Sequence, residues 1–211
     1  SKISSGASKK IFYRLKKNNL SYVLTDFNSD KNEYFNHLKV YDLLKNIDIS
    51  IPKIFEKNEK DLFIISQDFG NLRYDKIIQK ESIIDLLQYA IDSLIVINNS
   101  IQFNNKYKLF IYNFNNFKDE IIELPHFFLP YLNKNHDNQL TEEFISIWSK
   151  SFDNFNFDFS NFVHKDYNIN NLILLPSEKK HLKCGIIDFQ SSFWGESCWD
   201  LFSLLEDSRI L

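Results

Sequence analysis

The first part of the chain alternates aromatic or β-branched positions with polar ones, which is the pattern of half-buried strands. Two such segments cover residues 10–17 and 20–27. Between them stand Asn18 and Asn19, a pair that suits the positive φ angles of a tight hairpin turn. The pattern therefore predicts an antiparallel hairpin near the start of the chain.

A helix and a further strand follow the hairpin. Residues 31–47 carry apolar side chains at helical spacing, and Pro52 in the next segment ends that helix. Strand character resumes over residues 61–70, where Gly70 supplies a stop. Together with the hairpin, these segments predict a small antiparallel sheet with one packed helix over residues 1–68.

Beyond the sheet the pattern becomes mostly helical. Apolar positions recur every three to four residues over 81–100. Two more helices are predicted over 115–134, with interruptions at its two prolines, and over 140–155, with Thr141 at the N-terminus. The end of the chain, residues 200–211, has the pattern of an apolar-faced helix without a cap.

These segments predict a protein of the α+β class with two lobes. The N-terminal lobe, residues 1–68, contains the sheet and one helix, and the C-terminal lobe, residues 69–211, is helical. We expect the crevice between the lobes near residues 66–72.

Composition and charge exclude several classes of function. Hydrophobic residues make up 44% of the chain and charged residues 25%, as in ordinary globular proteins. The formal net charge of −3 argues against a nucleic-acid surface, because such surfaces carry a basic excess. Two cysteines do not build a disulfide framework, and no apolar run is long enough to span a bilayer. We therefore expect a cytoplasmic protein without nucleic-acid or membrane partners.

The main cluster of candidate reactive residues is "VHKDYNINN" at residues 163–171. Two short apolar runs within 172–188 are separated by a polar loop and predict a β-hairpin. Asp166 and Asn171 enter this hairpin, and Asp188 leaves it. Because the two ends of a hairpin are neighbours in space, these three polar side chains should converge.

Two carboxylates and an amide oxygen in one place suit phosphoryl transfer. That reaction uses a carboxylate to orient an attacking hydroxyl and hard oxygen ligands to hold Mg²⁺ against nucleotide phosphates. Asp166 suits the first role, and Asn171 and Asp188 suit the second. The alternative is that Asp166 and Asn171 make only local side-chain to backbone hydrogen bonds in an Asn-rich chain.

With these residues in place, the chain resembles the aminoglycoside phosphotransferase/choline kinase superfamily of the protein-kinase-like fold. The resemblance rests on "HKDYNINN", on "IIDFQ" and on "GESCWDLFSLLEDSR". Within the superfamily, the sequence is most similar to bacterial kinases that phosphorylate the anomeric hydroxyl of N-acetylmuramate and N-acetylglucosamine in cell-wall recycling. "SGASKKIFYRL" and "ISQDFG" resemble the nucleotide loop and the hinge of that group.

The resemblance implies a role for each residue of the cluster. Asp166 corresponds to the catalytic base, and Asn171 and Asp188 correspond to the metal ligands. His164, counted with the catalytic group, corresponds to a histidine that supports the loop. Asp200 corresponds to an aspartate that holds the loop through its backbone.

The resemblance also implies a nucleotide side and an acceptor side. The loop over the phosphates corresponds to Gly6, Ala7 and Ser8, and the adenine-binding hinge to Gln67, Asp68 and Phe69. Glu120 falls where relatives have an acidic residue near the sugar, although a solvated surface acid is the simpler interpretation.

Two features depart from the family pattern. A lysine on the third strand usually contacts the phosphates and pairs with a helix glutamate. Here that strand has no lysine, although Glu33 can be the glutamate, so the open candidates for the cation are Lys9, Lys10 and Arg14. The second departure is the end of the chain, which suggests a C-terminally truncated fold with part of the acceptor pocket missing.

The leading hypothesis is therefore a monomeric kinase that uses ATP and Mg²⁺ to phosphorylate a small-molecule hydroxyl, with a cell-wall amino sugar as the acceptor. A second hypothesis is a catalytically silent binding or regulatory protein on the same fold, suggested by the missing strand lysine. A third is a kinase for choline, homoserine or an aminoglycoside.

Overall fold

A computed structural model of the protein describes residues 1–3, 10–132, 134 and 138–210. Its N-terminal part is a five-stranded antiparallel sheet in the order β1-β2-β3-β5-β4. The strands are β1 (Lys2–Ile3), β2 (Ile11–Lys17), β3 (Leu20–Asp26), β4 (Ile54–Asn58) and β5 (Phe63–Gln67). One helix, α1 (Lys31–Leu44), connects β3 to β4.

The predicted hairpin at the start of the chain is confirmed. Strands β2 and β3 pair from Ile11 opposite Asp26 down to Lys17 opposite Leu20. The two connecting residues, Asn18 and Asn19, have φ angles of 50° and 63°. A two-residue turn with positive φ at both positions matches the twist of the flanking strands, and asparagine tolerates that region better than most residues.

Helix α1 begins where its sequence supplies a cap. The carboxylate of Asp30 accepts a hydrogen bond from the backbone N–H of Glu33 at 3.0 Å, which satisfies one free donor of the first turn. Tyr34 of the same helix is fully buried with Phe27 and Ile64 in a small core under the sheet. Another residue of this helix, the half-buried His37, lines the cleft below the sheet.

The rest of the chain is mainly helical, as predicted, with two short antiparallel ladders. The helices are α2 (Tyr74–Ile77), α3 (Ile83–Ser100), α4 (Phe114–Ile121), α5 (Leu129–Tyr131), α6 (Asn138–Asp153) and α7 (Trp199–Leu205), and a π-helical turn covers Leu124–Phe128. The ladders pair β6 (Asn161–Val163) with β9 (Phe193–Gly195), and β7 (Leu172–Leu174) with β8 (Cys184–Ile186). The α+β class and the protein-kinase-like arrangement are confirmed, while the division at residue 68 stays a prediction.

Two predicted helix boundaries were wrong. Helix α6 begins at Asn138, so Thr141 lies inside the helix, where its side chain is buried. Helix α7 ends at Leu205 and does not continue through residues 206–210. The carboxylate of Asp207 is buried there and accepts hydrogen bonds from the backbone N–H groups of Ile169 and Arg209, which turn the chain out of the helix.

The main core joins α1, α3, α7 and the β7–β8 hairpin, and it contains buried aliphatic and aromatic side chains from all of them. The hairpin lies on this core with Leu172 opposite Ile186. Among the described residues, no helix is both long enough and apolar enough to cross a bilayer.

The two cysteines differ in environment, which allows a direct test of the fold. Cys184 is fully buried in β8, and burial raises the pKa of its thiol to about 11, whereas Cys198 is exposed. Since the thiolate is the reactive form, we expect a thiol reagent such as DTNB to modify one cysteine rapidly in the native protein and the second only after unfolding. Rapid reaction of two thiols per chain under native conditions would contradict this arrangement.

Candidate active site

A cleft of about 890 Å³ lies between the sheet and the β7–β8 hairpin. Asp166, Asn171 and Asp188 line its lower side, and residues 66–70 line the same cleft from the end of β5. The convergence expected from the hairpin is therefore present, because Ile187 donates its backbone N–H to the carbonyl of Asn171 at 3.0 Å. The roles of these side chains stay predictions at this point.

Asp200 holds the loop that carries Asp166. Its carboxylate accepts hydrogen bonds from the backbone N–H groups of His164 at 2.7 Å and Lys165 at 3.1 Å. Asp200 is 4% exposed, and this burial raises the pKa of its carboxyl to about 7 against the effect of the two donors, while the nearby charge of Asp166 raises it further. Lys165 has φ of 81°, so the loop is held in a left-handed conformation that few non-glycine residues adopt.

His164 supports this loop from below and does not line the cleft. Its ring is 1% exposed, and Nε2 lies 3.1 Å from the carbonyl oxygen of Ile187. A carbonyl only accepts, so Nε2 carries the proton. Burial lowers the pKa of His164, which keeps the ring neutral. The side chain thus ties the loop of Asp166 to the segment that precedes Asp188, which is a positioning role.

The side chains of Asn171 and Asp188 present oxygen atoms to the cleft. Nδ2 of Asn171 donates to the backbone carbonyl of Asp166 at 2.9 Å, and this bond leaves Oδ1 as the acceptor. Asp188 has φ of 65° and ψ of 38°, a left-handed conformation that a carboxylate residue adopts at a cost. Such local strain is found preferentially at functional sites.

Lys10, one of the three candidate cations, lies beside Asp188. Lys10 stands immediately before β2, and its Nζ lies 2.6 Å from Oδ1 of Asp188 and 3.4 Å from Oε2 of Glu33. Lys10 lines the same cleft as Thr25 of β3. Glu33 thus has the lysine partner that the sequence alone left open.

Burial by itself would raise the pKa of Asp188, but this lysine reverses the effect. The charge of Lys10 and the hydrogen bond from its ammonium together hold the pKa of the Asp188 carboxyl below its usual value. A hydrogen bond from Gln190 acts in the same direction. Asp188 is therefore an ionised oxygen donor at neutral pH.

Of the other two candidate cations, only Arg14 is described by the structure. Lys9 lies outside the described residues. Arg14 turns to the hinge, where its guanidinium pairs with Asp68 at 2.6 Å and also donates to the side chain of Asn71 at 2.6 Å. Asp68 in addition accepts a hydrogen bond from Ser21. The Asp68 side chain thus holds the hinge in place through its contacts with Arg14 and Ser21.

Phe69 forms part of the cleft and packs on the glycine of β8. A Cβ added at Gly185 would lie 2.7 Å from Cδ2 of Phe69 and 3.2 Å from the carbonyl oxygen of Ile173. Gln67, which ends β5, donates its backbone N–H to the carbonyl of Lys53 at 2.9 Å. The hinge therefore sits on a close contact that only glycine permits.

This contact gives a testable expectation for Gly185→Ala. The added methyl group should displace the Phe69 ring, lower the free energy of unfolding by about 1–3 kcal/mol and weaken nucleotide binding. Thermal unfolding and calorimetry with an ATP analogue measure the two effects. Adding Phe69→Leu to the same chain should recover part of the stability, because it removes the atoms that clash. If the two stability losses simply add, the contact is not the cause.

One residue of the site has no signal in the sequence pattern. His37 lies on α1, four residues after Glu33 and on the same face of the helix, and it lines the cleft. Its ring centre is 4.7 Å from that of Phe189. Burial and then the charge of Lys10 lower the pKa of His37 to about 4. In the sequence it occupies the polar side of an amphipathic helix, which is indistinguishable from a solvated surface.

The structure describes only part of the predicted nucleotide site, and the predicted metal site has few protein ligands. Gly6, Ala7 and Ser8, predicted to cover the phosphates, lie outside the described residues. Within the part of the chain that the structure describes, no group of three His, Cys, Asp or Glu side chains could hold a metal ion by itself. The oxygens of Asn171 and Asp188 do fit Mg²⁺, which binds through one or two protein oxygens together with substrate phosphates and water.

The acceptor side of the loop contains Glu120 of α4. Its carboxylate accepts a hydrogen bond from the hydroxyl of Tyr112 at 2.9 Å and lies 3.7 Å from Nζ of Lys165. Lys165 directly precedes Asp166, so Glu120 is close to the loop that carries the predicted base. Its side chain remains 47% exposed, which leaves room for a ligand.

The chain is similar to several known proteins. The chain is 36% identical over 67 residues to the N-acetylmuramate/N-acetylglucosamine kinase of Caulobacter vibrioides, a match that covers 32% of this chain and 18% of the relative. An ADP-bound aminoglycoside phosphotransferase matches 99% of this chain and 71% of its own, with a TM-score of 0.67 and 20% identity. A choline kinase from Streptococcus pneumoniae matches 100% of this chain and 71% of its own, with a TM-score of 0.66 and 14% identity.

At these identities the solved structures establish the fold alone, which is the protein-kinase-like fold expected from the sequence. The match to the curated relative spans less than a fifth of that protein's length. A family model covers more than half of the chain, from residue 86 to residue 208, and includes the loop of Asp166 and the hairpin. The chain belongs to the Ecdysteroid kinase-like family, EcKL.

Proposed function

We propose that the protein transfers the γ-phosphoryl group of ATP to a hydroxyl of a small molecule. The observation that carries the proposal is one cleft in which Asp166, Asn171 and Asp188 face Lys10 and the hinge. A base, two oxygen ligands and a buried cation in one cleft are the parts that phosphoryl transfer requires.

In the proposed reaction the hydroxyl oxygen of the acceptor forms a bond to the γ-phosphorus, and the bond from that phosphorus to the β–γ bridging oxygen breaks. Asp166 accepts the hydroxyl proton, and ADP leaves. Asp200 and His164 hold the backbone around Asp166, so that the carboxylate is oriented before the acceptor arrives.

On the nucleotide side, Lys10 contacts the phosphates while Glu33 keeps its ammonium in place. Backbone groups of Gln67, Asp68 and Phe69 bind the adenine edge. Asn171 and Asp188 would hold Mg²⁺, which would supply positive charge beside the phosphate oxygens. Solved kinases of this fold are described with ATP, ADP or GDP bound, so ATP is our first choice and GTP the alternative.

For the acceptor we propose N-acetylmuramate or N-acetylglucosamine, the sugars named for the Caulobacter vibrioides kinase that the chain partly matches. Glu120 would accept a hydrogen bond from a sugar hydroxyl beside the loop. An ATP-consumption assay with these two sugars, choline, homoserine and an aminoglycoside tests the choice. Turnover with choline or the aminoglycoside alone would assign the protein to a different substrate class. No turnover with any of the five compounds would reject the amino-sugar proposal.

A catalytically silent protein is the competing proposal, and calorimetry with Mg-ATP separates the two. Its main support was a missing strand lysine, and Lys10 now offers a substitute for that side chain. Absence of any heat of binding would favour the silent protein. Monomeric state and cytoplasmic location remain predictions of the same proposal.

A further inference from the structure

The Lys10 ammonium lies between two carboxylates and contacts a predicted metal ligand directly. Nζ is 2.6 Å from Oδ1 of Asp188 and 3.4 Å from Oε2 of Glu33. The Lys10 side chain is 5% exposed, whereas those of Asp188 and Glu33 are 32% and 37% exposed. The cation is therefore largely enclosed, while the side chain of Asp188 still lines the cleft.

A divalent cation and the Lys10 ammonium compete for the same carboxylate. Two positive charges a few ångströms apart repel strongly in a partly buried site, where screening by water is weak. Asn171 offers one neutral oxygen, and among the described residues no group of three His, Cys, Asp or Glu side chains could hold a metal ion. The charge of Asp188 is thus the main attraction for a metal at this pair, and the Lys10 ammonium offsets part of it.

We infer that Lys10 withholds Asp188 from a divalent cation until the phosphates of a nucleotide take the ammonium. Glu33 would keep the ammonium in the cleft during this exchange, so that Lys10 moves from a carboxylate to a phosphate without leaving its strand. Metal and nucleotide then bind as a unit, and metal alone binds weakly. The inference rests on the proposed function, because it assigns Asp188 to the metal and Lys10 to the phosphates.

The inference is tested by measuring how tightly the full chain binds Mn²⁺, with and without a non-hydrolysable ATP analogue. The electron paramagnetic resonance signal of the free ion reports how much Mn²⁺ remains unbound. Wild-type protein should bind Mn²⁺ weakly alone and at least on the order of tenfold more tightly with the analogue. Lys10→Met should bind Mn²⁺ without nucleotide on the order of tenfold more tightly than wild type. Asp188→Asn should show neither gain.

Lys76→Met is the matched control, since Lys76 lines the same cleft but pairs with Asp75, which is not a predicted metal ligand. It should bind Mn²⁺ like wild type. If Lys10→Met fails to fold, as judged by circular dichroism and by the number of reactive thiols, Lys10→Gln replaces it, because the amide can still donate to Asp188.

Two results would overturn the inference. One is wild-type protein that binds Mn²⁺ equally tightly with and without the analogue, at a site lost in Asp188→Asn. The other is a folded Lys10→Met or Lys10→Gln variant with no gain in nucleotide-free affinity. If the analogue does not bind at all, the proposed function fails. The Mn²⁺ affinity of Lys10→Met without nucleotide still shows, by itself, whether Lys10 and the metal compete for Asp188.

Discussion

Replacing Asp166 by asparagine is expected to lower kcat by about 10²- to 10⁴-fold, the usual contribution of a positioned general base. The substrate for this measurement is the compound that the wild-type protein phosphorylates in the assay proposed above. The amide keeps the size of the side chain but does not accept the hydroxyl proton. The loop should keep its shape, because its bonds to Asn168 and Asn171 use the backbone carbonyl of Asp166 and not the carboxylate. Steady-state kinetics and calorimetry with the nucleotide separate the two effects.

The control for this variant is Asp153→Asn at the exposed end of α6, which removes the same charge from the chain. It should leave kcat unchanged. Full activity in Asp166→Asn would remove Asp166 from the base role, whereas equal losses of activity and nucleotide affinity would point to a binding role for the carboxylate.

Replacing Asp200 by asparagine should weaken both stability and activity. Asp200 is buried and accepts two backbone hydrogen bonds, from His164 and Lys165, one to each carboxylate oxygen. An amide has one acceptor oxygen and would turn its NH₂ group toward the other N–H donor. Leaving such a buried donor unpaired costs about 1–3 kcal/mol of unfolding free energy, measurable by urea denaturation. The loop should also loosen and lower kcat.

The same variant should change how stability depends on pH. Burial raises the pKa of the Asp200 carboxyl from 3.8 to about 7, so between these values the folded state keeps a proton that the unfolded chain releases. The stability that this group contributes is therefore fully present below about pH 4 and is lost as pH rises through 7. Over that range the free energy of unfolding falls by at most about 1.4 kcal/mol per pH unit. Asp200→Asn should lack this component.

Asp158→Asn provides the matched comparison for Asp200. Asp158 also accepts a backbone N–H bond, from Ser160 at 3.0 Å, but it is exposed. Its replacement should change the free energy of unfolding only slightly, since water can satisfy the freed donor. Equal losses in the two variants would show that burial of Asp200 is not the cause.

Local patterns in the sequence were sufficient for the elements around the site. The turn at Asn18 and Asn19, helix α3 and the hairpin of β7 and β8 each depend on a short stretch of the chain, whose periodicity reports directly on which side is buried. The convergence of Asp166, Asn171 and Asp188 was predictable for the same reason, because a hairpin brings its own ends together.

Features that depend on distant segments were not predictable from those patterns. Thr141 looked like a helix cap because its neighbours are acidic, but the helix extends past it. The polar side of α1 gave no sign that His37 faces a cleft. The end of α7 depends on a bond between Asp207 and Ile169, which lie 38 positions apart in the sequence.

By itself, then, the sequence determined the class of the fold, the family resemblance and the three oxygen-bearing side chains at the hairpin. Only the tertiary structure decided which cation serves them, since Lys10 and Asp188 are 178 positions apart and meet through the packing of the sheet above the hairpin. No local period encodes such a meeting, because it depends on how two separately formed elements are oriented against a shared cleft.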